Sequence, residues 1–466
     1  MMKNFFLFVL FFIISKNISS QESYDKNIYG FATSNTFSYF DINSDDFKKK
    51  ITKISPRVLR FPGGAVGNFY HFNGSAYGLK INEIDSLILG KFPKRARGLI
   101  SYSKRKKHSK NYIYDFIELA KYSNSSAVLV TNILTETKED ILKMIRLIES
   151  HNIPIVGIEL GSEMSNKSYF DKGYTIDIYI KKAKEISDLI KTNFPEIQTA
   201  VVAAPLVRNQ KHRHSIWNKK LSNLDFYDAI IIHSYAKVVK GKGQYGQMVV
   251  EKNEGNKEES FSIYNDRIQS FFERDYPKEI AKYNSIFQNK PIWITEWNLQ
   301  YSKKTGNTFL QGLFVANFFL ELISNDAYKN IEMTTFHNLA GRDFGGSIFQ
   351  KKDNQTIIHS TYIPIQMVSR FFNEDKLKVR KKVIDKGIHS YEFFEKNTLM
   401  YECYVNWSKE KKVINLSNRN RTKISEYGSL NLYDLNNEDN KIYFREKLCQ
   451  EEKDIVISPY SLTLIE

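Results

Sequence analysis

Short apolar runs alternate with amphipathic stretches along most of the chain. Eight runs rich in β-branched and aliphatic residues predict buried strands. They lie at 27–33, 57–61, 127–134, 153–164, 198–206, 228–233, 290–298 and 331–337. Apolar residues at helical spacing predict helices at 45–54, 111–123, 138–150, 175–193, 260–287, 307–324 and 361–372. This alternation predicts an α/β fold with a (β/α)8 TIM barrel. A doubly wound open sheet is the alternative.

The apolar pattern changes beyond residue 375. Alternation with a period of two takes over, in segments separated by Asn-rich turns, and this predicts short antiparallel strands. The segments lie at 399–405, 412–416, 430–435 and 455–465. We therefore predict a barrel domain at 21–375 and a small C-terminal antiparallel β-sandwich at 376–466.

Residues 1–20 have the pattern of a signal peptide. Lys3 supplies a positive charge, Phe5–Ile14 is an unbroken apolar run, and Ser19–Ser20 offers small residues for cleavage. A membrane anchor needs ~20 apolar residues, and this run is about half as long. We predict a secreted or periplasmic protein with no integral membrane segment in the mature chain.

The composition supports a large core and offers little for metal chemistry. Of the 466 residues, 42% are hydrophobic and 14% are aromatic, which does not suggest disorder. Cys403 and Cys449 are the two cysteines. They could form one disulfide or be two small buried side chains, and the sequence leaves both readings open. Without a Cys/His ligand cluster or an HExxH pattern, no metal and no cofactor are predicted.

Two of the apolar runs end in carboxylates, at Glu163 and at Glu296. A carboxylate at the end of a barrel strand would lie at the mouth of the barrel, where the active sites of this fold are found. Two such carboxylates suit retaining glycoside hydrolysis, in which one protonates the leaving oxygen and the other attacks the anomeric carbon. The alternative is that both are surface glutamates beyond a strand end.

Three segments, in order, resemble motifs of clan A glycoside hydrolases. Residues 159–163 (ELGSE) resemble the E-x-G-N-E acid/base motif on the fourth strand. Residues 295–298 (TEWN) resemble the nucleophile motif on the seventh strand, particularly that of family 51 arabinofuranosidases. Residues 59–64 (LRFPGG) resemble a segment shared by family 51 and the heparanase-like family 79. The resemblance spans residues 27–375 and implies that Glu163 is the acid/base and Glu296 the nucleophile.

The resemblance also suggests residues around this pair. Tyr235 matches a position where clan members often supply a tyrosine to the nucleophile. His233 and His337 each either face the sugar or are satisfied core histidines. Arg60 either binds a carboxylate in the site or braces the strand ends.

Further substrate-binding residues are predicted with alternatives. Trp297 and Trp217 could stack on a sugar, though a core role is as common for tryptophan. Ser162 departs from the clan, which usually has an asparagine there that bonds the 2-hydroxyl of the sugar. Asn68, in the loop after the second strand, is also assigned to substrate binding.

Positive charge is concentrated in three segments. The chain has 68 Lys and Arg against 52 Asp and Glu, a formal charge of +16. Segments 91–110, 207–220 and 236–248 hold nine, five and three basic residues and no acid. Each follows a predicted strand, so we expect them on the catalytic face, with Lys104 and Arg105 binding substrate. A basic rim would concentrate an anionic glycan; the alternative is a solvated lysine-rich surface.

These observations predict a secreted retaining glycoside hydrolase acting on a polysaccharide or oligosaccharide, expected to be anionic (uronic or sulfated). One alternative is the same chemistry on a neutral glycan, as in an arabinofuranosidase or xylosidase. Another is a non-catalytic glycan-binding barrel. Carbohydrate is the predicted partner; no nucleic-acid-binding motif is visible. The oligomeric state is left open.

Overall fold

A computed structural model describes most of the chain after the predicted signal peptide, of which residues 1–18 lie outside the described part. The described residues are 19–21, 23–87, 96–101, 110–239, 256–300, 304–341, 346–352, 355–415, 421–436, 441–450 and 454–466.

Eight parallel strands close into a barrel in sequence order, with the first strand pairing with the eighth. These strands are β2 (Gly30–Ala32), β3 (Val58–Phe61), β4 (Ser126–Val130), β5 (Ile155–Leu160), β6 (Thr199–Val202), β7 (Ala229–Ala236), β8 (Ile292–Leu299) and β9 (Ile331–Phe336). The closed barrel confirms the predicted fold and rules out the open sheet. Because all the strands are parallel, their carboxyl ends meet at one end of the barrel.

Helices connect successive strands and cover the outside of the barrel. The longer ones are Asp45–Ile54, Tyr112–Ser123, Lys138–Ser150, Ile176–Asn193, Arg213–Leu221, Lys257–Ser270, Tyr276–Ile286, Phe309–Ser324 and Tyr362–Asn373. Phe309–Ser324 is buried along its whole length. It contacts both β8 and β13 (Leu377–Asp385) of the C-terminal sheet, which explains why apolar residues occur on all of its faces. Among the described helices, none is long and apolar enough to cross a membrane.

The barrel interior is filled by a tryptophan from one strand lying over a glycine from another. Trp293 on β8 is almost fully buried. A Cβ atom added to Gly157 on β5 would lie 2.1 Å from the Trp293 ring. Gly157 is therefore needed so that this large side chain can cross the barrel beneath the ends of β5 and β8, which carry the predicted acids.

Some element bounds differ from those predicted. β7 continues to Ala236 rather than ending at 233, because polar side chains end the apolar run while backbone pairing with β8 continues. The predicted loop at 65–110 contains the helices Ile81–Leu87 and 96–101. A small sheet was also missed, since its strands are short and partly polar: β10 (Ala340–Gly341), β11 (Phe349–Lys352) and β12 (Gln355–Ile358).

The C-terminal region is a β-sandwich of two very unequal sheets. Its strands are β1 (Ser19–Gln21), β13 (Leu377–Asp385), β14 (Ile388–Glu395), β15 (Thr398–Asn406), β16 (Lys412–Asn415), β17 (Arg421–Ser429), β18 (Ile442–Gln450), β19 (Asp454–Ile457) and β20 (Ser461–Ile465). The larger sheet has the order β1-β13-β14-β15-β20-β17-β18, and the smaller pairs β16 with β19. Tyr404, Ile455, Ile457 and Ile465 form the apolar contact between the sheets. The predicted sandwich is confirmed, but the predicted strand at 430–435 is a loop between β17 and β18, because its short apolar alternation is interrupted by turns.

Cys403 and Cys449 are both buried, and neither forms a disulfide. They lie on β15 and β18, which are separated in the sheet by β20 and β17. Because neighbouring strands are about 4.8 Å apart, the two cysteines are too distant for a disulfide. Of the two predicted alternatives, the structure shows two small buried side chains.

Candidate active site

The two predicted catalytic glutamates lie together at the carboxyl end of the barrel. Glu296 is within β8, and Glu163 is three residues beyond the end of β5. One carboxylate oxygen of Glu163 lies within 4.8 Å of one carboxylate oxygen of Glu296. The side chain of Glu163 is 38% exposed and that of Glu296 only 7%. The pair therefore consists of an accessible acid and a buried acid.

Irregularities in strand pairing aim side chains into this end of the barrel. The register between β7 and β8 shifts at Ile232/His233, and that between β8 and β9 shifts between Ile294 and Trp297. Such irregularities at barrel rims re-aim side chains. Here the consecutive residues Thr295 and Glu296 both make contacts inside the site. Regular strand geometry would point them to opposite faces.

A buried arginine joins the nucleophile candidate to a third carboxylate. The Arg60 guanidinium donates to both oxygens of Glu159, at 2.6 and 2.8 Å, and to Glu296 Oε1 at 2.9 Å. Arg60 and Glu159 are fully buried. The bidentate contact with Glu159 sets the plane of the guanidinium and so the direction of its bond to Glu296. Arg60 thus fills both of its predicted alternatives, since it binds a carboxylate in the site and braces the ends of β3 and β5.

Glu159 is a residue of the site to which the sequence analysis assigned no role. It stands inside an apolar strand, and a carboxylate buried there needs a cation. This need for a cation was the feature of the sequence that could have identified Glu159, and Arg60 is the cation that it contacts. Thr295 was missed as well; its hydroxyl donates to Glu159 Oε2 at 3.2 Å.

The surroundings of Glu296 keep it ionised. Burial by itself raises the pKa of a carboxyl group. At Glu296 this effect is outweighed by the positive charges of His233 and His337. Arg60 and a hydrogen bond from Tyr235 Oη, at 2.8 Å, act in the same direction. The pKa of Glu296 is therefore held well below its usual range, as a nucleophilic carboxylate requires.

His233 lies between the two glutamates. Its Nδ1 is 3.2 Å from Glu163 Oε1 and 3.6 Å from Glu296 Oε2. Burial disfavours the charged imidazole, but the carboxylates of Glu296 and Glu163 outweigh this and raise the pKa of His233. His233 therefore contacts both predicted acids, and a contact with the sugar stays a prediction.

Glu163 is held by a clamp on the residue before it. Asn68 Oδ1 accepts from the Ser162 amide at 2.8 Å, and Asn68 Nδ2 donates to the Ser162 carbonyl oxygen at 2.5 Å. The clamp supports a backbone with φ of +52° at Glu163, a region that non-glycine residues seldom occupy. Asn68 and Ser162 are fully buried, and the Ser162 hydroxyl accepts from Arg60 at 3.3 Å. Both residues therefore support the backbone at Glu163 rather than face the cleft.

The predicted aromatic platforms lie in the core. Trp297 is fully buried, donates to Thr334 Oγ1 at 3.0 Å and packs against Phe318. Trp217 stacks on Tyr179 and donates to the Val202 carbonyl oxygen. The sugar-stacking role assigned to Trp297 is therefore corrected to a core role, because successive side chains on a strand point in different directions and a motif does not reveal which.

His337 directly follows the end of β9. Its ring lies 6.1 Å from the Tyr235 ring in an edge-on arrangement. It belongs to the group of cationic side chains that lowers the pKa of Glu296. His337 is half-buried beside Glu296 rather than in the core, and a contact with the sugar stays a prediction.

Much of the predicted basic rim, with Lys104 and Arg105, lies outside the described residues. Several of its described members have acidic neighbours from other segments. Arg97 pairs with Asp85 at 2.5 Å, and Lys220 pairs with Asp177 at 2.7 Å. Arg213 donates to the carbonyl oxygen of Ser165, just after Glu163. Segment 207–220 therefore reaches the catalytic end, as its position after β6 predicts, with part of its charge neutralised.

Within the part of the chain that the structure describes, Glu163, His233 and Glu296 form the one group of potential metal ligands. Two features disfavour a cation there. Arg60 already supplies positive charge to Glu296. The raised pKa of His233 favours the protonated ring, which cannot ligate a metal. The absence of a metal stays a prediction.

Solved structures of several glycoside hydrolases share this fold. The GH51 arabinofuranosidase from Xanthomonas axonopodis pv. citri has a TM-score of 0.66 at 10% identity, over 96% of this chain and 99% of that chain. The GH51 α-L-arabinofuranosidase from Thermotoga petrophila RKU-1 has 0.61 at 15%, over 96% and 99%. A 4-O-α-L-rhamnosyl-β-D-glucuronidase from Fusarium oxysporum 12S has 0.61 at 12%, over 96% and 97%. At these identities the likeness establishes the fold alone. No protein-family model matches the sequence, and no curated protein matches it.

Tyr235→Phe is expected to lower kcat/KM by about 10- to 100-fold, because a hydrogen bond to a charged group contributes about 1.5–3 kcal/mol. Tyr235 donates to the Glu296 oxygen not bound by Arg60. Steady-state kinetics on an aryl glycoside measures the effect, with Tyr114→Phe on an exposed helix face as the control. Wild-type kcat/KM in Tyr235→Phe would contradict this role.

Proposed function

We propose that this protein is a retaining glycoside hydrolase in which Glu163 is the acid/base and Glu296 the nucleophile. The observation that carries the proposal is the pair of carboxylate oxygens within 4.8 Å of each other at the barrel mouth. Retaining enzymes separate their carboxyl groups by about 5–5.5 Å, and inverting enzymes by about 6.5–9.5 Å to admit a water. The shorter distance favours direct attack by Glu296.

The two glutamates differ in the way that double displacement requires. Glu296 is buried and ionised, so it can attack the anomeric carbon while Glu163 donates its proton to the departing oxygen. The glycosyl–Glu296 ester is then attacked by water, from which Glu163 takes a proton, and Glu296 leaves as the carboxylate. His233 contacts both side chains, so its interaction energy with Glu163 changes as the proton leaves Glu163 and returns to it.

Three further points belong to the proposal. The protein is exported, to the outside or to the periplasm, by the segment 1–20. Its substrate is a carbohydrate, which we propose is anionic because segment 207–220 lies at the catalytic end with basic residues such as Arg208 and Lys211. One protein of this fold acts on a glucuronide according to its name. A neutral glycan is the second candidate, favoured by the arabinofuranosidases of the same fold.

The proposal is tested by measuring hydrolysis by the wild-type protein. The substrates are chondroitin sulfate, alginate, arabinan and a panel of nitrophenyl glycosides. Proton NMR of the first sugar released should show the anomer of the substrate, since double displacement retains configuration. The inverted anomer would refute Glu296 as nucleophile. Binding without turnover on every member would favour the glycan-binding alternative.

Salt dependence separates an anionic from a neutral substrate. Exposed charges are screened over about 8–10 Å at physiological salt, so KM on an anionic polymer should rise with ionic strength while kcat changes little. Replacing Lys104, Arg105, Lys106 and Lys107 by serine should raise KM at low salt and flatten this dependence. The matched control replaces four exposed lysines of the sandwich, Lys378, Lys386, Lys411 and Lys447. Preference for arabinan with no salt effect would favour the neutral substrate.

A further inference from the structure

A groove of about 580 Å³ lies between the helix Lys257–Ser270 and the C-terminal sandwich. This helix follows β7, so its first turns lie at the same end of the barrel as Tyr235. The other wall is the sandwich loop 430–436. Backbone amides of Phe309 and Leu310, at the start of the helix that follows β8, donate to carbonyl oxygens of this loop. The groove is thus attached to the elements that follow the two strands carrying Tyr235 and Glu296.

Aromatic and apolar side chains provide flat surfaces in the groove. Phe261 is buried and meets the Tyr433 ring edge-on at 5.8 Å. Lys257 lies 4.8 Å above the same Tyr433 ring, which fixes its orientation. Leu430, at the lip, is 84% exposed. The exposed Leu430 side chain and the oriented Tyr433 ring thus form an apolar surface at the edge of the groove.

Polar groups in the groove are held in place by one buried carboxylate. Glu426 is almost fully buried and accepts from Tyr443 Oη at 2.8 Å, from Arg445 Nη2 at 2.6 Å and from Ser458 Oγ at 3.1 Å. A Cβ atom at Gly428 would come within 2.4 Å of Tyr443 Oη, so glycine is needed for this ring to lie across β17. Three groove-lining groups are thus preorganised, which lowers the entropic cost of binding a polar ligand.

A second buried carboxylate fixes the loop at the lip. Asp434 Oδ2 accepts from Ser429 Oγ at 2.6 Å and from the Asn431 amide at 3.1 Å. Both residues line the groove, and Leu430 lies between them. The turn that carries the exposed Leu430 is therefore held by hydrogen bonds to Asp434 on both sides of it.

We propose that this groove is a second saccharide-binding site, which holds a distant part of the same glycan chain that enters the catalytic cleft. Sugar rings present apolar C–H faces that suit Tyr433 and Leu430, and hydroxyl groups that suit fixed donors and acceptors such as Arg445 and Tyr443. The volume is within the range of small-molecule sites. The inference rests on the proposed glycosidase activity for the identity of its ligand.

Binding is measured separately from turnover by affinity electrophoresis of full-length Glu296→Gln protein in gels containing chondroitin sulfate, alginate or arabinan. Tyr433→Ala, added to this background, should weaken binding by about two- to tenfold, the scale of one aromatic contact. Leu430→Ser should also weaken binding, and its exposed position makes misfolding no explanation. The matched controls are Tyr114→Ala and Leu448→Ser, which remove exposed apolar side chains outside the groove.

Each outcome decides the proposal. Equal retardation of groove variants and controls overturns it, as does failure of all three polymers to retard the parent protein. A change in oligomeric state with Leu430→Ser, seen by analytical ultracentrifugation, would make the groove an interface between copies and also overturn it. If the wild-type protein hydrolyses none of the glycans but the groove variants bind glycan more weakly, the groove is supported and the proposed function is refuted. If the wild-type protein hydrolyses glycan but the groove variants bind it as tightly as the parent protein does, only the groove proposal is refuted.

Discussion

Glu296→Gln is expected to reduce kcat by at least about 10⁴-fold on every substrate that the wild-type protein cleaves. The amide keeps the size of the side chain but cannot attack the anomeric carbon, and loss of a nucleophile that acts within a coupled site has effects of this scale. Stopped assays on the natural glycan and on nitrophenyl glycosides measure the loss. Glu139→Gln, which changes a largely exposed glutamate, is the matched control.

Glu163→Gln should behave differently, and the contrast identifies the two roles. On a natural glycan the loss should be about 10²–10⁴-fold, the usual contribution of general acid catalysis. On nitrophenyl glycosides the leaving group needs no proton, so the glycosyl–enzyme should still form. Added azide should then restore turnover, because an anionic nucleophile needs no general base. Azide rescue of Glu296→Gln with the same stereochemistry as the wild type would reverse the assignment.

Arg60→Met is expected to lower the free energy of unfolding by about 3–5 kcal/mol, because it leaves buried carboxylates without their cation. Glu159 and Glu296 both depend on this guanidinium. Urea denaturation at neutral pH measures the loss. Arg97→Met, which breaks a largely exposed ion pair with Asp85, is the control and should change stability little. Equal effects of the two substitutions would contradict a buried network.

The same substitution should shift the pH dependence of activity in a known direction. Arg60 is one of the groups that hold the pKa of Glu296 below its usual range, against the effect of burial. Without it the pKa of Glu296 rises, so the acid limb of the kcat/KM profile should move to higher pH. The double variant Arg60→Met/Glu159→Leu should recover part of the stability, since Glu159 is no longer unpaired, but should keep the shifted acid limb. If the double variant recovered both the stability and the wild-type acid limb, Arg60 would affect the pKa of Glu296 only by stabilising the fold.

Local patterns predicted the barrel well because each strand is buried on both faces and reads as an apolar run. The runs at 153–164 and 290–298 placed Glu163 and Glu296 at the barrel mouth before any contact was known. The same criterion ended β7 at His233, although the strand continues to Ala236. Backbone hydrogen bonds to β8 maintain it there, and those bonds do not depend on the hydrophobicity of the side chains.

The network around the glutamates could not be predicted in this way. Arg60 and Glu159 are 99 residues apart in sequence, and Thr295 and Glu159 are 136 apart. Glu159 is part of a recognisable motif, yet nothing local says that its carboxylate faces the barrel axis. Ser162 was expected beside the sugar, but the clamp by Asn68 places it in the interior.

The sequence by itself determined most of the order of strands and helices, the barrel followed by a sandwich, and the position of the two acids at the barrel mouth. These are consequences of periodicity and burial, which neighbouring residues specify. Only the tertiary structure decided that Arg60 joins Glu159 to Glu296, that Trp297 turns into the core and that a groove forms between the sandwich and the helix after β7. Those features depend on which strand ends meet and on where register shifts turn a side chain, and both are set by packing between segments that are far apart in the chain.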